Sequence, residues 1–314
     1  MLSRKAVLRE HKEFGYSVSE IEEKYLAWVS VVLYMIVNRM DLRTFKSEVF
    51  AVKCAKRGND VYRKRVYRRF KELCELVEKV FFFNPKDRVE NKKTRALFVT
   101  LTCDTKRCSL DEAWESIGVE FNRFMSYVRK HFGKVSSFRV FEAYENGYPH
   151  IHCVLLFEEA EFKVFRDKKG YFRIREKDVI AQGWHSHVDV KGMSSLGRGF
   201  SYLKKYLLKS IDSENKDSKA LKTLAMCWLF NKRAFSVSGK FRQALIDLIK
   251  TKHNSNHKTK QSTLEGEIVR EYVYFVLGFV PADDIPLRKG EWFSKLDKEQ
   301  IESVEDFLEG HCIK

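Results

Sequence analysis

Proline and glycine are scarce in this chain, with 4 Pro and 15 Gly in 314 residues. What remains is a globular composition, 44% hydrophobic, and the length suggests about two domains at roughly 150 residues each. Long apolar runs are missing too. The most apolar stretch, LAWVSVVLYMIV (26–37), falls short of the roughly 20 residues that a membrane span needs, and is expected to be a core helix. The first residues, MLSRKAVLREHKEF, contain no apolar signal core. No C-x-x-C pair occurs, and the seven cysteines (54, 74, 103, 108, 153, 227 and 312) are odd in number. That excludes a simple disulfide framework or a cysteine zinc site and favours reduced thiols in a cytoplasm. A GxxxxGK[ST] loop is absent, so no fused helicase is visible. A membrane partner is not expected.

Positive charge, by contrast, is in excess. There are 59 Lys+Arg against 43 Asp+Glu, a formal net charge of +16. Such a field favours a polyanion, most commonly nucleic acid. Three regions emerge. Residues 1–94 read as basic and helical, with cap chemistry at Ser17, Ser19 and Glu22. Within them, YRKRVYRRFK (62–71) offers Arg63, Lys64, Arg65, Arg68 and Arg69 to phosphates, and NPKDRVENKKT (84–94) looks like a linker. Residues 95–212 change to a period of two. LFVTLT (97–102), SSFRVFEAY (136–144) and HIHCVLLF (150–157) read as strands. A helix follows the first strand, with a Ser109–Glu112 box at its start and Gly133 at its end. Asp167-Lys168-Lys169-Gly170 reads as a hairpin turn. Residues 213–314 read as mainly helical, interrupted by KHNSNHKTKQST (252–263), and NKRAFSVSGK (231–240) is either a phosphate contact or an ordinary loop. The expected fold is α+β, a central antiparallel sheet with helices packed on it and helical N- and C-terminal extensions.

Two histidines stand at the entrance of the third strand. Residues i and i+2 of a strand face the same way, so His150 and His152 point together. Two neutral imidazoles side by side begin a divalent metal site. If Glu145-Asn146-Gly147 is a three-residue loop with Gly147 in the left-handed position, Glu142 lies opposite His150 with Cβ atoms about 5 Å apart. A two-residue Asn-Gly turn would instead point Glu142 away. A second pair, His185-Ser186-His187, competes as a ligand source but lacks the apolar middle residue and the preceding proline.

YLKKYLLK (202–209) places Tyr202, Lys205, Tyr206 and Lys209 on one helical face, while Leu203 and Leu207 can bury against the sheet. A tyrosine can act as a covalent nucleophile. Its pKa near 10 makes it weak at neutral pH, so a nearby cation or metal must favour the phenolate. Lys205 or Lys209 could do that or bind the scissile phosphate. The plain alternative is an amphipathic surface helix with a basic edge.

Taken in order, FVTLT (98–102), PHIHCVLL (149–156) and YLKKYLLK (202–209) resemble the three motifs of the HUH endonucleases, in particular the two-tyrosine rolling-circle replication initiators of plasmids and viruses. GWHSHVDV (183–190) resembles the strand those proteins carry before the tyrosine helix. The resemblance covers about residues 95–210 and implies an HUH/RRM-like catalytic core. It implies Mg²⁺ or Mn²⁺ held by His150, His152 and Glu142, and attack by Tyr206 on single-stranded DNA to leave a 5′-phosphotyrosyl link and a free 3′-OH. Tyr202 would perform the second cleavage. Thr100 and Thr102 would support the site or touch DNA. Origin DNA is the implied substrate, and unwinding and synthesis would require a host or separately encoded helicase and polymerase. Two rivals stay open. One is a two-tyrosine HUH transposase, whose usual N-terminal cysteine zinc module has no suitable spacing here. The other is a non-catalytic single-strand-binding module that uses a basic sheet and aromatic residues.

Overall fold

The computed structural model of the chain describes residues 3–89, 91–212, 218–247, 250, 272–282 and 293–311. Two short helices open it, α1 (Arg4–Phe14) and α2 (Val18–Ser30). The box that starts α2 is Ser17 with Glu20, shifted towards the N-terminus from Ser19–Glu22. The helix expected over 26–37 ends at Ser30, and β1 (Leu33–Asp41) takes over, followed by β2 (Ser47–Lys53). The reason is local and tertiary at once. Val29, Val31, Val32, Ile36 and Val37 are β-branched, and β1 gains antiparallel partners on both sides.

Basic helix α3 (Asp60–Val77) begins at an Asn59 cap and buries Phe70, Leu73 and Val77. After β3 (Lys93–Thr94) come β4 (Ala96–Thr102), α4 (Leu110–Phe132), β5 (Val135–Ala143) and β6 (Pro149–Phe157). The Ser109–Glu112 capping box and the Gly133 stop of α4 stand as read from the sequence. Next are the β7 (Phe162–Arg166) and β8 (Phe172–Ile174) hairpin, α5 (Lys177–Ala181), β9 (Val188–Gly192) and α6 (Leu196–Lys209). The turn at Asp167–Gly170 joins β7 to β8, with Gly170 at φ 80. The chain continues through α7 (Ser218–Leu229), β10 (Phe235–Val237), β11 (Tyr272–Pro281), β12 (Phe293–Lys295) and a C-terminal helix, Lys298–His311. Segment 231–240, weighed as a loop, therefore holds a strand, and β10 extends the central sheet through β5. The stretch 252–263 lies outside the described residues. The cysteines at 54, 74, 103, 108, 153 and 227 carry free thiols.

The class is α+β. The central sheet has the order β10-β5-β6-β4-β9, and every pairing in it is antiparallel. Alternation along β4 divides the core. Leu97, Val99 and Leu101 join the cluster of α4, α2 and α7, whereas Ala96 and Phe98 join that of α3 and α6. Both faces of this sheet are thus covered by helices. A second sheet, β11-β1-β2-β12, has its own small core against the C-terminal helix. The flanks therefore meet in strands as well as helices.

Candidate active site

The hairpin between β5 and β6 sets the register. Tyr144 N–H donates to Tyr148 O (2.9 Å) and Gly147 N–H to Tyr144 O (2.9 Å), with Gly147 at φ 87. This is the three-residue loop, which only the left-handed Gly147 closes without strain. Trp114 of α4 fixes the loop by donating its indole N–H to Gly147 O (2.8 Å). Glu142 consequently pairs with His150, and Val140 with His152. On the other side of β6, Thr100 pairs with His152 and Thr102 with His150.

α6 lies across this face. Leu196, Phe200, Leu203 and Leu207 are buried in the core beneath it. A Cβ on Gly199 would stand 2.9 Å from Val154 Cγ2, so glycine allows the helix its close approach to β6. The opposite side of the turn then delivers the tyrosines. The Tyr206 ring stacks on His152, with centroids 3.5 Å apart and planes 13° from parallel. Tyr202, 48% exposed, packs against Phe98 at 5.6 Å, and Phe98 also neighbours Tyr206 (6.4 Å) and His152 (6.2 Å). The two phenols and the histidine pair therefore form one cluster around Phe98.

Polar contacts in the cluster are closely matched. His152 Nε2 lies 2.9 Å from Glu142 Oε2, and Lys209 Nζ donates to Glu142 Oε1 (3.1 Å). His152 Nδ1 lies 3.2 Å from Thr100 Oγ1. Burial pushes the Glu142 carboxyl up, but His152 and Lys209 together outweigh it and hold the acid below its ordinary range. Burial lowers His152 against the pull of Glu142, so its contact is that of a neutral ring donating Nε2–H to a carboxylate and accepting from the Thr100 hydroxyl. His150 is lowered to about 4, by burial first and by His152 second. Its ring stacks on Tyr144 (4.8 Å, 15°) and stands 6.5 Å from that of His152. Tyr206 is raised by burial and then by Glu142, with Lys209 pulling the other way.

Two neutral imidazoles beside an ionised carboxylate are donors suited to a hard divalent cation. Among the described residues, no three His, Cys, Asp or Glu side chains stand ready as a metal cluster. The hydrogen bonds account for this, because Glu142 spends its oxygens on His152 and Lys209. Lys209, expected beside a phenolate, is engaged by that carboxylate, while Lys205 is exposed on the tyrosine face.

The remaining sequence candidates separate. Thr102 donates to His187 O (3.1 Å) and lies 3.4 Å from Ser186 Oγ. His185 and His187 are exposed and precede β9 rather than sharing a strand; His185 packs beside Trp184 at 4.5 Å. On α3, Lys64, Arg65, Arg68 and Arg69 are exposed, but Arg63 pairs with Asp212 (2.6 Å) just past α6. Sequence reasoning missed Phe98 and Tyr144 as ring platforms. Phe98 shares the period-two face of Thr100 and Thr102, and Tyr144 is the diagonal cross-strand neighbour of His150, so both signals were present.

Comparison with curated proteins and with solved structures gives no match. Residues 96–211, from β4 to just past α6, match the family model of the ORF2 type of replication-associated protein, and this similarity supports a replication-associated role that involves DNA.

Proposed function

We propose that the protein nicks and rejoins single-stranded DNA at a replication origin as a plasmid or viral rolling-circle initiator of the two-tyrosine HUH type. The observation that carries this reading is the Tyr206 ring lying flat on His152, inside a set of groups suited to phosphate chemistry. The similarity of residues 96–211 to a replication-associated family supports the biological setting.

In this reading Tyr206 Oη bonds to the scissile phosphorus, its proton passes to solvent, and the 3′-oxygen leaves with the bonding pair and becomes a hydroxyl. The 5′-phosphotyrosyl link conserves the bond energy, so attack by a 3′-hydroxyl releases tyrosine and reseals the strand without a nucleotide cofactor. Tyr202, reached through Phe98, performs the second cleavage. His150, His152 and Glu142 would hold Mg²⁺ or Mn²⁺, which supplies Lewis-acid polarisation of the phosphate and orients it. Thr100 would then accept Nδ1–H once Nε2 of His152 turns to the cation, the outer-shell role that fixes a ligating imidazole. Lys205 and the Lys209 ammonium offset phosphate charge. The exposed cations of α3 bind the DNA backbone, which positions without specifying sequence. The protein works in the cytoplasm, with helicase and polymerase supplied by the host or by separate genes.

The test is covalent trapping. Protein, Mn²⁺ and single-stranded oligonucleotides from the replicon carrying the gene are expected to give a complex that survives SDS. Tyr206→Phe should lose most of it and Tyr202→Phe/Tyr206→Phe all of it. Salt-sensitive binding without any such complex would make the protein a single-strand-binding module instead.

A further inference from the structure

Beside the tyrosine cluster lies a cleft of about 290 Å³ that the chemistry above leaves unused. Four separate segments build it: the loop carrying Lys86, the β7–β8 hairpin with Arg166 and Tyr171, the end of β9 with Lys191, and the first turns of α6 with Arg198 and Tyr202. Its lining holds four cations and, among the described residues, no carboxylate. The nearest counter-charge is Asp189, which stands 3.3 Å from Lys191 Nζ.

The walls are held in place and the binding groups are free. Arg166 bonds the backbone oxygens of Gly170 and Pro85 and lies over Phe172 at 4.5 Å, tying hairpin to loop. Tyr171 is fixed by its N–H to Asp167 Oδ1 (2.9 Å) and sits 4.3 Å from Lys191 Nζ, yet its ring is 40% exposed. Lys86 and Arg198 point their charges to solvent. A phosphate asks for the two free cations and a base asks for an aromatic face. The volume, at the small end of the roughly 300–1,000 Å³ of ligand clefts, suits one nucleotide rather than a run. The position follows from Tyr202, which lines the cleft and packs on Phe98, the ring shared with Tyr206 and His152. Lys191 is the cross-strand partner of Phe98.

We propose that this cleft holds one nucleotide of a bound single strand next to Tyr202, its phosphate between Lys86 and Arg198 and its base against Tyr171. The site rests on the nicking reading for its place beside the cut, but its occupancy is measurable without cutting. The measurement is the anisotropy of fluorescent oligothymidylate with the full chain carrying Tyr206→Phe, across a salt series. Lys86→Ala/Arg198→Ala is expected to weaken binding roughly tenfold at low salt and to reduce the salt slope by about 1. Tyr171→Ala should weaken it by a similar factor, and Tyr171→Phe should restore it. Arg129→Ala/Lys130→Ala, which removes two exposed charges from α4 on the other face of the sheet, sets the background, expected below about twofold. Cleft variants that bind no worse than that background overturn the proposal. The two readings fail separately. Loss of binding in the cleft variants, with no covalent complex from the wild type, keeps the cleft and removes the nickase. A normal covalent complex with unaltered binding in the cleft variants does the reverse.

Discussion

Each of the two sheets holds a glutamate between two cationic side chains, and the settings differ. In the central sheet Glu142 lies between His152 and Lys209, with side-chain exposures of 9%, 5% and 14%. In the second sheet Glu48 bonds Arg39 and Lys295, exposed at 32%, 31% and 61%. Both carboxyls are held below the ordinary range, Glu48 chiefly by Lys295 and Arg39, and Glu142 against a burial that opposes it. Helices cover both faces of the central sheet, whereas β11 exposes Tyr274, Phe275 and Phe279. Similar charges therefore have different consequences. Solvent screens the outer group. The inner one sits where charge is costly and directional, as reactive groups do.

The largest expected difference between the two is catalytic. His152→Ala should reduce SDS-stable complex formation by orders of magnitude while leaving oligonucleotide binding within about threefold, because backbone contacts elsewhere supply most affinity. Lys295→Ala should leave both unchanged. A parallel loss of binding and cutting in a folded His152→Ala protein would show that the imidazole serves binding rather than chemistry.

Stability separates the sheets next. Glu142→Ala strands Lys209 and His152 without their acceptor, and breaking a buried pair from one side costs about 3–5 kcal/mol. Urea unfolding should show that loss. Glu48→Ala should leave the midpoint almost where it was, and equal shifts in the two variants would erase the distinction.

Acid sharpens it further. The pKa of His150 falls from the ordinary 6.5 to about 4 on folding. Between those values the unfolded chain takes up a proton that the folded chain does not, so stability is complete above about 6.5 and declines as the pH drops towards 4. The loss is at most about 3 kcal/mol. Urea titrations in EDTA should reveal it, and His150→Gln should flatten this part of the profile. A Glu48→Gln profile should keep the wild-type slope there, since no histidine belongs to that group.

How much of this was legible follows the range of the interactions. The β5–β6 register could be read because Glu145-Asn146-Gly147 sets it within a few residues, and Leu203 and Leu207 betrayed the buried side of α6. The second sheet could not be read. β1 pairs with β11 across more than 200 residues (Val37 with Val276), and a register shift after Ile36 disturbs its alternation. Lys209 on Glu142 and the cleft beside Tyr202 join segments that only the tertiary fold brings together. Pro85 and Lys86 looked like linker because a wall built from four segments has no local period.

Glycine supplies the smallest and most specific contrast. On Gly199 a Cβ would meet Val154, fully buried in β6, at 2.9 Å, with Met193 at 3.6 Å. On Gly278 it would meet Leu308 Cδ2, the far end of a half-buried side chain on the C-terminal helix. Leu308 can rotate away into solvent, but Val154 has nowhere to go. Gly199→Ala should therefore cost about 1–3 kcal/mol from overpacking, less the roughly 1 kcal/mol that alanine gains over glycine in a helix. The more telling effect is positional, because relief of the clash lifts α6 and carries Tyr202 and Tyr206 off the histidines. Misplacement of reacting groups by about 1 Å can cost on the order of a hundredfold in rate, so covalent complex formation should fall much further than stability does. Gly278→Ala should change neither appreciably. If Gly199→Ala unfolds at the expected denaturant concentration yet forms the covalent complex at the wild-type rate, the close seat of α6 on β6 is not what places the tyrosines.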